Sequence, residues 1–118
     1  MITITCQRNH AAHALTTIFN YIALLQLSQL KNVNGMDKTN GEYLTVRLIN
    51  CLLSEVEILF KRKLITTSGD KINIKMSHAQ GIAFYRALLT MPVGAENFYL
   101  NFIRNQWIEI IDQQILKL

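Results

Sequence analysis

His10 and His13 stand three residues apart, the spacing at which two imidazoles on one helix face can chelate Zn²⁺ or Ni²⁺. Such a site needs further ligands. Cys6 lies in the segment before the helix and His78 is far along the chain, so the pair reads as polar residues at a helix end and no metal is assigned. Glu109 and Asp112, also three apart, could share a proton or a cation, but a surface helix carries such acids for solvation. Glu55 and Glu57 are two apart on a helix, so their side chains diverge by about 160° and cannot work as a pair.

The stretch GMDKTNG at residues 35–41 has Lys-Thr after a glycine, yet it lacks the G-x-x-x-x-G-K-[ST] spacing and follows a helix rather than a strand. The chain has no dinucleotide fingerprint, nucleophile elbow or Cys-x-x-Cys. No catalytic motif and no cofactor is therefore assigned, and a non-enzymatic role is expected. Arg86 is the only permanent charge in an otherwise apolar stretch, IAFYRALL. The sequence predicts that it is partly buried in a structural ion pair with Glu96 or Asp112, with an anion site as the alternative.

The largest concentration of charge is basic. In FKRKLITTSGDKINIKM, residues 60–76, the cations Lys61, Arg62, Lys63, Lys71 and Lys75 surround what reads as a β-hairpin. A helix followed by a two-stranded wing is the order used by winged-helix DNA binders. The helix here is too long, however, and it presents Cys51, Glu55, Glu57 and Ile58 outward, a poor surface for base edges. The local account is a helix C-terminus with cations on its dipole, followed by a strand whose lysines discourage edge pairing. Phosphate contact by the five cations is the alternative.

These residues are carried by helices. Asn9 is a candidate N-cap for a helix over 9–31, and Thr39 with Glu42 makes a capping box for a second helix ending near Leu64. A hairpin over 64–76 follows, and Ser77 with Gln80 caps a third helix. Pro92 and Gly94 interrupt the pattern before a fourth helix from about Ala95. ITIT at residues 2–5 alternates apolar and polar, as a short strand able to join the hairpin does. The expected fold is mainly α, a single domain over 1–118. It is a four-helix bundle-like arrangement with a small β-hairpin between helices 2 and 3.

Projected at 100° per residue, the second helix gathers Ile49, Leu52, Leu53, Val56, Leu59 and Phe60 on one face, with Arg47, Asn50, Ser54, Glu57 and Lys61 opposite. The first helix buries Leu15, Ile18, Ile22 and Leu25, and the last carries a core stripe of Tyr99, Ile103, Trp107, Ile110 and Ile111. Leu24 and Leu27 fall in the polar sector of the first helix, and Phe98 and Phe102 lie off the main stripe of the last. Half of the 118 residues are hydrophobic and 17% are charged, against about 25% in an average soluble domain. Such a thin polar surface leaves two readings of the surplus positions: contact with both neighbours inside the bundle, the commoner case, or burial against a second copy or another protein.

The net charge of +4 permits an acidic partner without requiring one. Two cysteines do not make a disulfide framework, and no signal peptide or membrane span is read. The function expected is an intracellular, cytoplasmic protein-interaction module, self-associating as a homodimer or docking on another protein through Leu24, Leu27, Phe98 and Phe102. The alternative is a small nucleic-acid-binding accessory or regulatory protein that uses the basic hairpin.

Overall fold

The computed structural model describes residues 1–33, 35–37, 39–92 and 97–116. It is mainly helical, with one small antiparallel sheet of two strands. The order is β1 (Ile2–Gln7), α1 (Arg8–Thr16), α2 (Ile18–Val33), α3 (Gly41–Thr66), β2 (Lys71–Met76), α4 (His78–Thr90) and α5 (Phe98–Ile115).

The two strands come from distant parts of the chain. β1 pairs with β2 in the register Ile2 to Met76, Ile4 to Ile74 and Cys6 to Ile72. Alternation sends Ile2, Ile4, Cys6, Ile72, Ile74 and Met76 into the core and turns Lys71, Asn73 and Lys75 to solvent. Thr5 Oγ1 reaches Asn73 Oδ1 at 2.7 Å on the outer face. The other edge of β1 is occupied by one side chain. The Gln114 amide accepts from Thr3 N–H at 2.8 Å and donates to Thr3 C=O at 2.7 Å, which satisfies backbone groups that would otherwise face a free edge.

The predicted hairpin over 64–76 is thus corrected in its first arm. Residues 64–66 are the last turn of α3, and the partner of β2 is the N-terminal strand. The reason is electrostatic and comes from a distant part of the chain. Thr67 N–H continues the helical ladder to Lys63 C=O, and the freed carbonyls of Leu64 and Thr67 are taken by the guanidinium of Arg8. A cation thereby sits on the negative end of a 26-residue helix. Arg8 N–H also donates to Asp70 C=O at 2.7 Å, so the end of β1 and the end of α3 are fastened together. Gly69, at φ +124°, supplies the left-handed turn that leads into β2.

Three helix starts differ from expectation or confirm it. The first predicted helix begins at Arg8 and is interrupted at Thr17, whose backbone leaves helical geometry (φ −120°, ψ −64°). Gln7, not Asn9, is its N-cap and makes no side-chain cap bond. At the interruption the Thr16 and Thr17 hydroxyls both donate to His13 C=O at 2.8 Å. Asn40, not Thr39, caps α3: its side chain accepts from Glu42 N–H at 2.8 Å, while Thr39 donates to Asp37. The Ser77 and Gln80 capping box of α4 is present in both directions. The start placed at Ala95 lies outside the described residues.

The core is aromatic at its centre. Phe60 lies 5.2 Å from Phe19 and 5.2 Å from Trp107, and Phe84 lies 5.7 Å from Phe19, ring centroid to centroid. These rings join α2, α3, α4 and α5 through one cluster. The predicted apolar face of α3 is found in place, with Leu53, Val56 and Phe60 buried and Ile49, Leu52 and Leu59 packed against them. Its predicted polar side is corrected at Asn50. That residue is half-buried, and its amide nitrogen and oxygen are shut from solvent without a hydrogen-bond partner among the described residues.

Candidate interaction surfaces

The residues that could do chemistry are drawn into structural roles. His10 is buried and lies edge-on to Tyr99 and Phe102, and His13 lies edge-on to Tyr99 with ring centroids 4.7 Å apart. His78 Nε2 is 2.7 Å from the Met1 amino nitrogen. Among the described residues, no group of three His, Cys, Asp or Glu is placed to hold a metal ion. Asp112 accepts from the Tyr85 hydroxyl at 2.9 Å, and that bond pushes the Tyr85 hydroxyl above its ordinary pKa.

The expectation for Arg86 is corrected. Arg86 is exposed on α4, where it lines a cleft of about 330 Å³ with Gln29, Asn32, Glu42 and Thr45. Asp112 is engaged by Tyr85 instead, and Glu96 lies outside the described residues. The buried arginine is Arg104 of α5. Its Nε donates to Leu88 C=O at 2.7 Å, and one terminal nitrogen donates to Asn105 Oδ1 at 2.9 Å. Its helical angle lies about 20° beyond Ile111, at the edge of the apolar stripe, so the sequence alone leaves its burial open.

The five cations of the basic segment divide. Arg62, Lys63 and Lys75 line one cleft of about 250 Å³ between α3 and β2, together with Leu59, Thr66, Asn73 and Ile74. Lys61 is turned to Glu57 at 3.5 Å, an exposed pair of modest energetic weight. Lys71 lies by a second cleft with Arg8, Asn9 and Asp70.

The four apolar positions singled out in the sequence are all exposed: Leu24 by 67%, Leu27 by 58%, Phe98 by 81% and Phe102 by 55%. Phe102 is the least open of them and rests one ring edge near His10. A further apolar row was missed. On α3, Leu44, Leu48, Ile58 and Ile65 are exposed, as is Cys51 between them. These residues are spaced by four, three, seven and seven along α3, with Glu55 and Arg62 at the intervening steps, so they share its outer face. The spacing was readable in the sequence.

Comparison with models of protein families, with curated proteins and with solved structures finds no match to this chain. The functional reading therefore stands on geometry and chemistry. Among the described residues, no helix is long and apolar enough to cross a membrane.

Proposed function

We propose that this chain is a non-enzymatic protein-interaction module that self-associates through apolar helix positions its own fold leaves uncovered. One observation carries the reading. Large hydrophobic side chains on α2, α3 and α5 are more than half exposed although a well-filled aromatic core is already complete without them. Leu24 and Leu27 on α2 and Phe98 and Phe102 on α5 are contact positions in this reading. We take α2 to α5 as a four-helix bundle-like scaffold, supported by the packing of α3 on α2 and α4 and of α4 on α5. A reducing, cytoplasmic setting suits two free cysteines, one of them exposed. Light scattering on the full chain tests the proposal. A mass above the monomer is expected, and Leu24→Glu or Phe102→Glu lowers it if those positions take part. A monomeric mass at every concentration would refute self-association.

A second reading, a nucleic-acid-binding accessory protein, is favoured by the convergence of Arg62, Lys63 and Lys75 on one cleft. It predicts RNA or DNA binding that weakens steeply with salt and is lost on charge reversal at Lys75 and Lys71. Salt-insensitive or absent binding removes it.

A further inference from the structure

The outer face of α3 carries the spacing of a coiled-coil seam. From Leu48 the positions 51, 55, 58, 62 and 65 follow in steps of three and four, the repeat that keeps a single stripe facing a partner helix. Every residue on the stripe is exposed, with Leu48 at 60%, Ile58 at 51% and Ile65 at 84%. The stripe covers 18 residues, so it runs for about 27 Å along one uncovered side of the longest helix. It is apolar at four positions and charged at two, Glu55 and Arg62, which are opposite in sign and exactly one heptad repeat apart.

Those two charges decide what can cover it. We propose that the α3 stripe is the dimer surface of this protein and that it receives the same stripe of a second copy, antiparallel, across a two-fold axis. The inference rests on the self-association reading above and names its surface. In an antiparallel seam, each position of one kind faces the other kind on the partner helix. The register that uses the whole stripe sets Leu48 opposite Ile65, Cys51 opposite Arg62 and Glu55 opposite Ile58. Glu55 then lies four residues, about 6 Å along the axis, from the second copy's Arg62, within reach of an arginine, and three residues, about 4.5 Å, from its Glu55, so that two Glu55–Arg62 attractions are set against one like-charge approach. The two-fold repeats that pair, because a two-fold interface is self-complementary. A parallel seam in register would set Glu55 on Glu55 and Arg62 on Arg62, two like-charge contacts. The Glu55 carboxylate is also held in position from within its own chain. Gln80 Nε2 donates to one of its oxygens at 2.9 Å and leaves the other to accept from the second copy.

The surroundings of the stripe agree with a helix approaching from outside. Gln80 of α4 borders it at Glu55, and the β2 side borders it at Arg62 through the cleft shared with Lys75. Neither covers the apolar positions. A second cation, Lys75, near the Arg62 end adds to the attraction for the second copy's Glu55.

The test is sedimentation of the full chain across a wide range of concentration, with charge variants on the exposed face. Circular dichroism confirms that each variant is folded. Glu55→Arg or Arg62→Glu alone is expected to weaken the dimer about tenfold or more, because each leaves like charges facing across the axis. The double change E55R with R62E is expected to return it to within about threefold of the unmodified chain. Single variants that dimerise unchanged, or a double variant as weak as the singles, would overturn the antiparallel seam. Oxidation supplies a second readout. In the proposed register the two Cys51 residues sit about 16 Å apart along the axis, beyond the reach of a disulfide. A dimer that does not cross-link under mild oxidation supports it, and rapid Cys51 cross-linking would show the parallel arrangement. If the dimer ignores the α3 variants yet dissociates with Leu24→Glu or Phe102→Glu, the seam is wrong and the self-association reading stands. A monomer throughout brings down both.

Discussion

Gly81 in the first turn of α4 packs closely against Ile2 of β1. A Cβ placed there would stand 2.3 Å from Ile2 Cδ1, 3.1 Å from Ile2 Cβ and 3.2 Å from Ile2 Cγ1. Carbon atoms in contact prefer about 3.5–4.0 Å. The terminal methyl of Ile2 can swing away, but its Cβ is tied to a strand whose register is set by six pairs with β2. Gly81→Ala should therefore lose about 1–3 kcal/mol to overpacking. Against this it gains about 1 kcal/mol of helix propensity. The net change is a destabilisation of up to about 2 kcal/mol, too near zero to be decisive alone. The coupling between the two residues is more informative. Ile2→Ala opens a cavity and should cost about 2–5 kcal/mol in the parent chain. In the Gly81→Ala background the new methyl occupies part of that space and the clash is gone. A coupling of about 1–2 kcal/mol in the relieving direction is expected. Urea denaturation of the parent, both single variants and the double variant measures it. Additivity to within about 0.3 kcal/mol would show that Ile2 does not press on Gly81 and would refute the packing of β1 on α4.

Three further outcomes follow from individual residues. Arg8→Met removes a cation from the C-terminal carbonyls of α3, and a loss of about 2–3 kcal/mol is expected in the same denaturation assay, with Arg8→Lys retaining part of it. Asn50→Leu replaces an enclosed amide of similar volume, so it should leave stability unchanged or raise it by about 1–2 kcal/mol; a loss would mean that the amide has a partner. The two thiols should separate in reactivity, Cys51 being modified in the native chain and Cys6 only on unfolding, since burial pushes the Cys6 thiol up to about 11. That shift has a definite sign. The folded value lies above the ordinary 9.0, so the contribution to stability is complete below pH 9.0 and is lost as pH rises toward about 11. Cys6→Ala should flatten that part of a stability profile followed by circular dichroism.

Local signals in the sequence held at Ser77 and Gln80 and along β2, but not at Thr39 and Glu42, where Asn40 caps α3 instead. The Ser77 and Gln80 box needs only four residues, and the alternation of Ile72, Ile74 and Met76 needs only that one face be buried. Pairing over long range was not legible in the same way. Residues 64–67 and 2–5 were both offered as partners for the second strand, and Arg8, 59 residues from the Thr67 carbonyl it binds, favours the N-terminal one. Nothing within residues 60–76 reports that arginine, so the segment read naturally as a hairpin. Arg86 and Arg104 show the complementary limit. Both lie on apolar helices, and only the placement of α5 against α4 decides that Arg104 is the one enclosed, over Leu88 C=O. The exposed apolar positions were half legible. The surplus at Leu24, Leu27, Phe98 and Phe102 was visible as a departure from one stripe per helix. The row on α3 was hidden because that helix has a second, stronger apolar face.

The proposed dimer depends on the exposed stripe of α3 recognising its own copy by charge. The most direct measurement mixes two variants, Glu55→Arg and Arg62→Glu, in equal amounts and follows their mass by sedimentation. Each alone should be monomeric where the unmodified chain is a dimer, and the mixture should recover a dimer, since opposite charges again face one another. Variants that dimerise separately as the unmodified chain does, or a mixture that stays monomeric, would contradict it.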